Sequence, residues 1–345
     1  MNLFIIGNGF DLAHGLSTRY EDFRQYVLKI DPSFHDRIFN IYEGAFPRYY
    51  RNPLDDVLID PHTKKEIDES SKLWSDIEKH MSYVNDNIIL SIDSNLGLEY
   101  ICEQDDVYTD TFNEYLAEIF SDVKEKLEEY LKKWISKVST KNITKRTSKI
   151  LSQEDENEEL DLFLTFNYTN LLEDSYNIES SQILHIHGEV SKTPLIIGHN
   201  NYKKIEELER ELSDLNDRRW GGEDEDGIPI ENDESNEEIV ERLKLEHLKN
   251  YYEETIKNTE ECLSDNKYFF NWINSVQNIY VIGHGFGNVD IPYFEKIVKS
   301  TNKNVKWHIY YYGEKEAEEY KKKAKDLGIE ESNLFILPSS EFFDI

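Results

Sequence analysis

With 345 residues, the chain is long enough for one large domain carrying insertions, or for two domains. Hydrophobic residues make up 38% and aromatics 13%, which supports a real core and excludes general disorder. The 70 acids against 39 bases leave a net charge of -31, a field that repels phosphate backbones and disfavours broad nucleic-acid or anionic-membrane binding. Cys102 and Cys262 form no C-x-x-C pair, so a disulfide framework and a four-cysteine zinc site are both excluded. The chain opens without a basic segment and long apolar run, and no stretch reaches the ~18 apolar residues that span a bilayer. A cytoplasmic protein without membrane contact is expected.

The first apolar run, NLFII at 2–6, has the length of a buried strand and leads into Gly7, Asn8, Gly9, Phe10 and Asp11. A helix starting near Asp11 would turn a positive end, with free backbone N–H groups, toward a phosphate, and glycines would allow close approach. A tight strand-to-helix corner needs glycines equally. Leu12 stands where the dinucleotide fingerprint has its third glycine, so that motif in its usual form is absent.

Helical patterns fill the next segment, about 20–160. They include IEKHMSYVNDNIILSI and a longer run in which Tyr115, Ile119, Val123, Leu127, Tyr130, Leu131 and Ile135 recur at helical spacing. The acidic QEDENEELD then precedes a second strand, LFLTF at 162–166. Asn167 follows it in TFNYTN, at a strand's carboxyl end, where open α/β sheets bind ligands. Its amide suits orientation of a sugar hydroxyl or a water, and also suits a simple turn.

ILHIH at 183–187 is the third strand. His185 and His187 lie two apart, which puts them on one face of a strand that Gly188 would end. His187 is placed as a general base near neutral pH. A histidine pair would also ligate a metal, but no third ligand is evident nearby in sequence, and His185 reads as structural. LIIGHNN closes another strand-like run, and His199 and Asn200 would line the same cleft.

A second interruption, about 203–272, is strongly charged; 222–238 hold nine acids and no base, which predicts a mobile, solvated loop. RLKLEH places Arg242 and His247 at the R-x₄-H spacing of HEPN toxin nucleases, a pattern that also arises by chance on a charged helix. IYVIG at 279–283 is a fourth strand, and its turn carries Gly283, His284 and Gly285, with Asp290 as the expected N-cap of the helix over 290–300. Strands WHIYYY at 307–312 and LFIL at 334–337 flank a helix over 315–328 that ends in glycine. This alternation implies an α/β, Rossmann-like open, mainly parallel sheet of about six strands with large helical insertions, all within a single domain over 1–345.

LFIIGNGFDLAHGLSTRYEDF, FNYTN, HIHGEV and VIGHGFGNVD closely resemble the AbiH proteins, a bacterial abortive-infection family of phage defence. The resemblance runs from end to end, and AbiH proteins are in turn similar to the sirtuin-like NAD-binding fold. By that likeness Gly9 and Gly15-Leu16 keep the spacing of the sirtuin G-A-G-I-S stretch and its following G-I-P, with Phe10-Asp11 in place of Ile-Ser. Asn167 becomes the ribose- or water-orienting residue, His187-Gly188 the pair that carries the base, and Gly283-His284-Gly285 the later turn. The zinc module of the deacetylases cannot be built here, and Thr169 replaces the aspartate that reads the nicotinamide carboxamide.

The resemblance therefore implies a sirtuin-like anti-phage effector that hydrolyses NAD as its substrate, with no metal. His187 and Asn167 would be catalytic. Gly7, Asn8, Gly9, Phe10, Asp11, Gly188, Gly283, His284, Gly285 and Asp290 would bind the nucleotide. A nucleotide-sensing module without turnover, and a ribonuclease using Arg242 and His247, stay open as alternatives. So do a homo-oligomer and an unknown phage-derived trigger.

Overall fold

The structure, a computed structural model, describes residues 1–43, 73–74, 76–85, 88, 106–150, 161–190, 192–223, 229–231 and 235–344. The chain divides into two compact units. The first comprises Met1–Phe23, Glu128–Ile197 and Lys257–Ile345, and the second comprises Arg24–Leu127 and Gly198–Ile256.

Six parallel strands build the first unit: β1 (Asn2–Ile6), β2 (Leu162–Thr165), β3 (Ile183–His185), β6 (Asn278–Ile282), β7 (Lys306–Tyr311) and β8 (Leu334–Pro338). Their order in the sheet is β3-β2-β1-β6-β7-β8. The chain thus winds outward from β1 in one direction, returns, and winds outward from β6 in the other. The reversal between β1 and β6 is the topological switch point of a doubly wound sheet.

Successive residues of β1 serve opposite faces. Leu3 and Ile5 join one core with Leu162, Leu164, Ile279, Val281, Trp307 and Ile309. Phe4 and Ile6 join another with Phe163, Ile282 and Tyr310. Both faces are apolar because both are covered, which explains why these strands read as continuous apolar runs. On the second face the rings of Phe163, Phe4, Tyr280, His308 and Phe335 form a cross-strand ladder, with neighbouring centroids 4.8 to 5.1 Å apart. The parallel register places those residues opposite one another, so the ladder also pins the register.

The six strands expected of the sheet all appear, and β3 is shortened most. β3 ends at His185 rather than His187, because the chain turns at Gly188 (φ +88) and the Gly188 N–H closes onto the His185 carbonyl. Among the helices, Ile291–Ser300 starts at Asp290 with Pro292 in its first turn. Glu314–Asp326 is followed by Gly328 at φ +83, the left-handed C-terminal signal anticipated there. Leu195–Gly198 form no strand; His199 makes only an isolated bridge to Ile256.

The second unit is mainly helical. The long apolar pattern forms two helices, Asp106–Phe120 and Val123–Ile135, broken where Asp122 takes φ +55; the later one runs on into the first unit. Pro32–Glu43, Ile77–Met81, Tyr202–Arg219 and Asn236–Thr255 lie there too, the last opened by a reciprocal Ser235–Glu238 capping box. The acidic stretch 222–238 departs from the expected loop in its described parts: Trp220–Glu223 and Pro229–Glu231 pair as an antiparallel hairpin, β4 and β5, and the helix begins at Asn236. QEDENEELD, except its last residue, and most of NDNIILSI lie outside the described residues, as does Cys102. No helix among the described residues is long and apolar enough to cross a membrane.

Candidate functional site

The register fixes which residues leave the sheet together. Ile6 pairs with both Thr165 and Ile282, and Thr165 pairs with His185. Gly7, Phe166, Ile186 and Gly283 therefore step off the same carboxyl edge, and ladder-like bonds continue through them: Phe166 N–H to Ile6 O, Ile186 N–H to Thr165 O and Gly7 N–H to Ile282 O. Asn167, His187 and His284 come one residue later.

At the switch point the two glycine turns interlock. Gly9 N–H donates to Gly283 O at 2.9 Å, and Phe10 N–H closes the first turn onto Gly7 O. A Cβ on Gly7 would lie 2.5 Å from the Gly283 oxygen, and one on Gly283 would lie 2.4 Å from the Phe10 nitrogen. The glycines are thus required by backbone meeting backbone. The amides of Gly7, Gly9 and Phe10, which the sequence offers to a phosphate, are already bonded to protein carbonyls, so this bend grips no pyrophosphate through them. Side chains must do the recognition. Asn8 reaches Thr18 O with its amide, and the Phe10 ring packs on His14 and Tyr176 in the core. Gly285 has open space where a side chain would go.

Asp11 and Asn167 meet beside this bend. Asn167 Nδ2 donates to Gly7 O at 3.1 Å and to Asp11 Oδ1 at 2.8 Å, while Thr169 Oγ1 donates to Asp11 Oδ2 at 2.7 Å. With its nitrogen committed twice, the Asn167 amide has its orientation fixed, and its oxygen is the atom left for a ligand. Asp11 is buried. Burial raises its carboxyl to about 7, against the hydrogen bonds from Thr169 and Asn167 and the nearby His185.

His187 belongs to a second group. Its Nε2 lies 3.3 Å from Asp290 Oδ1, which Lys257 Nζ approaches at 3.2 Å; His284 Nε2 donates to Asp290 Oδ2 at 3.2 Å. All four side chains are buried, Lys257 completely. Because His284 Nδ1 accepts from the Phe286 N–H, its proton sits on Nε2, and both ring nitrogens serve the protein. Burial by itself would raise the Asp290 carboxyl; the charge of Lys257, then that of His187 and the histidine hydrogen bonds, hold it well below the usual carboxylate range. Asp290 occupies the N-cap position expected of it but makes no side-chain cap bond. Its carboxylate is instead the centre of this cluster. Phe166, Tyr168 and Tyr293 enclose the His187 ring, with centroids 5.1, 6.3 and 5.7 Å away.

The two histidines do not share a face. Because β3 stops at His185, that ring turns to Glu173 and the Asn167 carbonyl, while His187 turns to Asp290. Gly188 makes the parting turn, and a Cβ there would meet the Pro194 carbonyl at 2.0 Å. His199 lies in the second unit, where Thr255 Oγ1 and the Asn201 N–H occupy its ring nitrogens. Asn200 also lies there. Arg242 pairs with Glu246, and His247 with Asn113, as partners within the second unit. Lys257 was not anticipated: a lysine between two helices carries no spacing signal, and only the fold brings it to Asp290.

A doubly wound parallel sheet with buried titratable groups gathered at its switch point is a Rossmann-like α/β protein. The family described as "Bacteriophage abortive infection AbiH" matches residues 3–311, and the chain belongs to the AbiH family, whose role is abortive infection against bacteriophage. No curated protein and no solved structure matches it.

Proposed function

We propose that the chain is an abortive-infection effector that binds NAD at the carboxyl edge of a sirtuin-like sheet and hydrolyses its nicotinamide–ribose bond. The observation that carries the reading is that Asn167, with its amide nitrogen committed to the protein, and His187, backed by the buried carboxylate of Asp290, follow neighbouring strands at the same carboxyl edge.

Asn167 orients the ribose and the attacking water through its oxygen. Water adds its oxygen to the anomeric carbon as the bond to the pyridinium nitrogen breaks. That bond's electron pair neutralises the departing nicotinamide, and the water's proton passes to His187. The ionised Asp290 stabilises the imidazolium that forms, the general role of a carboxylate behind a histidine base. Burial excludes bulk water and strengthens these charges. Thr169 and Asp11 support the reading: relative to the sirtuin pattern the hydroxyl and the carboxylate have exchanged positions, and they hydrogen-bond at 2.7 Å. A carboxyl therefore remains beside Asn167, where its two bonded oxygens hold the Asn167 amide and the Thr169 hydroxyl in place.

Purified full-length protein incubated with NAD should give nicotinamide and ADP-ribose by mass spectrometry, and His187→Ala should lose about 10²–10⁴-fold of the rate. Undiminished consumption by the folded variant removes the assignment of His187. A nucleotide-sensing module without turnover would use the same residues; it predicts saturable NAD binding by calorimetry with no product.

A further inference from the structure

We propose that Glu173, His185 and Glu189 form a binding site for a divalent transition metal, with Zn²⁺ as the best fit, on the flank of the sheet next to Asn167. One ligand atom from each residue lies within 4.8 Å of the other two. Glu173 is on the short helix Leu171–Tyr176, His185 ends β3, and Glu189 follows the Gly188 turn. The three ligands thus come from three segments that the fold alone brings together.

The placing of the His185 ring suits a cation. Its Nδ1 lies 3.2 Å from the Asn167 backbone carbonyl, which accepts only, so Nδ1 carries a proton. Nε2 is turned to Glu173 Oε1 at 3.0 Å, where the two atoms can share a proton or a metal ion. Nδ1–H on a backbone carbonyl with Nε2 turned to an acidic partner is the usual arrangement around a metal-bound histidine. The His185 side chain is 8% exposed, which screens the contact from solvent.

Glu173 makes a separate argument. Its other oxygen, Oε2, is sealed from solvent and has no hydrogen-bond partner among the described residues. A buried carboxylate oxygen without a donor is costly, and a cation would satisfy it. Glu189, also 8% exposed, receives Asn170 Nδ2 on Oε1 at 2.7 Å and Lys192 Nζ on Oε2 at 3.0 Å. Lys192 is 54% exposed and can swing away to release Oε2. One imidazole with two carboxylates is a mixed nitrogen–oxygen set, which suits Zn²⁺ and its neighbours better than Mg²⁺ or Ca²⁺. Bound metal would tie the helix, the strand end and the turn together and hold the Asn167 carbonyl in place.

The test uses untagged full-length protein stripped with chelator, loaded with Zn²⁺, freed of excess by gel filtration, and assayed for metal by mass spectrometry and for melting temperature. Wild type should retain one equivalent and melt higher when loaded. Glu173→Gln, Glu189→Gln and His185→Gln should each bind at least about 10-fold more weakly, whereas His187→Gln should bind as wild type does. Lys192→Ala should bind more tightly, which a purely structural cluster would not produce. The proposal is overturned if wild type retains no zinc, or if the two folded glutamate variants retain as much as wild type. No nucleotide is present, so the outcome is independent of NAD hydrolysis.

Discussion

Both units bury histidines and hydroxyls, but they satisfy them differently. In the second unit His199 bonds to Thr255, Tyr251 shares a hydrogen bond with Tyr42 and reaches the Met81 carbonyl, and Tyr252 accepts from the Val84 N–H. These partners are neutral, and burial keeps them so: it lowers His199 to about 4 and raises Tyr42 and Tyr251 above their usual range. At the sheet edge of the first unit, charge is concentrated instead. A buried lysine, two histidines and an aspartate share one cluster, and Asp11 sits near neutrality two segments away. Buried neutral networks specify packing, whereas buried titratable groups poised at a strand edge mark a site where protons move.

The sharpest way to break this contrast is Lys257→Met. Removing the lysine leaves Asp290 a buried charge short of its counter-ion, and urea unfolding should show a loss of about 3–5 kcal/mol. A loss below ~1 kcal/mol would mean that the histidines suffice.

Asp11→Asn tests the titration. The folded carboxyl is raised to about 7, above its unfolded value, so the folded state binds the extra proton between about 4 and 7 and stability falls as pH rises through that window. The variant should abolish a pH-dependent loss of about 4 kcal/mol between pH 4 and pH 8, because holding one extra proton in the folded state changes stability by about 1.4 kcal/mol for every step of one in pH. His199→Gln should show the opposite sign. Burial depresses the folded His199 to about 4, so its contribution is complete above the unfolded value of about 6.5 and is lost as pH falls toward 4. Amide exchange in 236–255 should therefore accelerate with acid in wild type, by about 3 kcal/mol of opening energy, and not in the variant.

Two smaller effects sharpen the comparison. Gly7→Ala forces the interlocked turns apart and should cost about 1–3 kcal/mol by thermal melting. Tyr251→Phe removes one hydroxyl from a neutral network and should cost about 1 kcal/mol, independent of pH between 5 and 8.

Much of the first unit was legible. Apolar runs of strand length, four of them closed by Gly, Asn or His, located all six strands and the switch-point turn, because a strand covered on both faces can contain little else. The position of Asn167 was legible for the same reason: it lies two residues beyond the end of β2. The partners were not. Asp11 reads as a helix-start residue, and nothing at 257 announces a counter-ion for 290. The cluster of Glu173, His185 and Glu189 was hidden by a shortened strand, since the two-residue spacing of His185 and His187 implied one face where the chain had already turned.

By itself, then, the sequence determined the parallel sheet, the positions of its strand ends and membership of the resembling family, since these follow from local hydrophobic pattern and short motifs. Only the tertiary structure decided which amides were already bonded, which carboxylate faced which imidazole, and where Lys257 lay. Those are contacts between segments far apart in the chain, and they depend on strand register and on turns that no local pattern encodes.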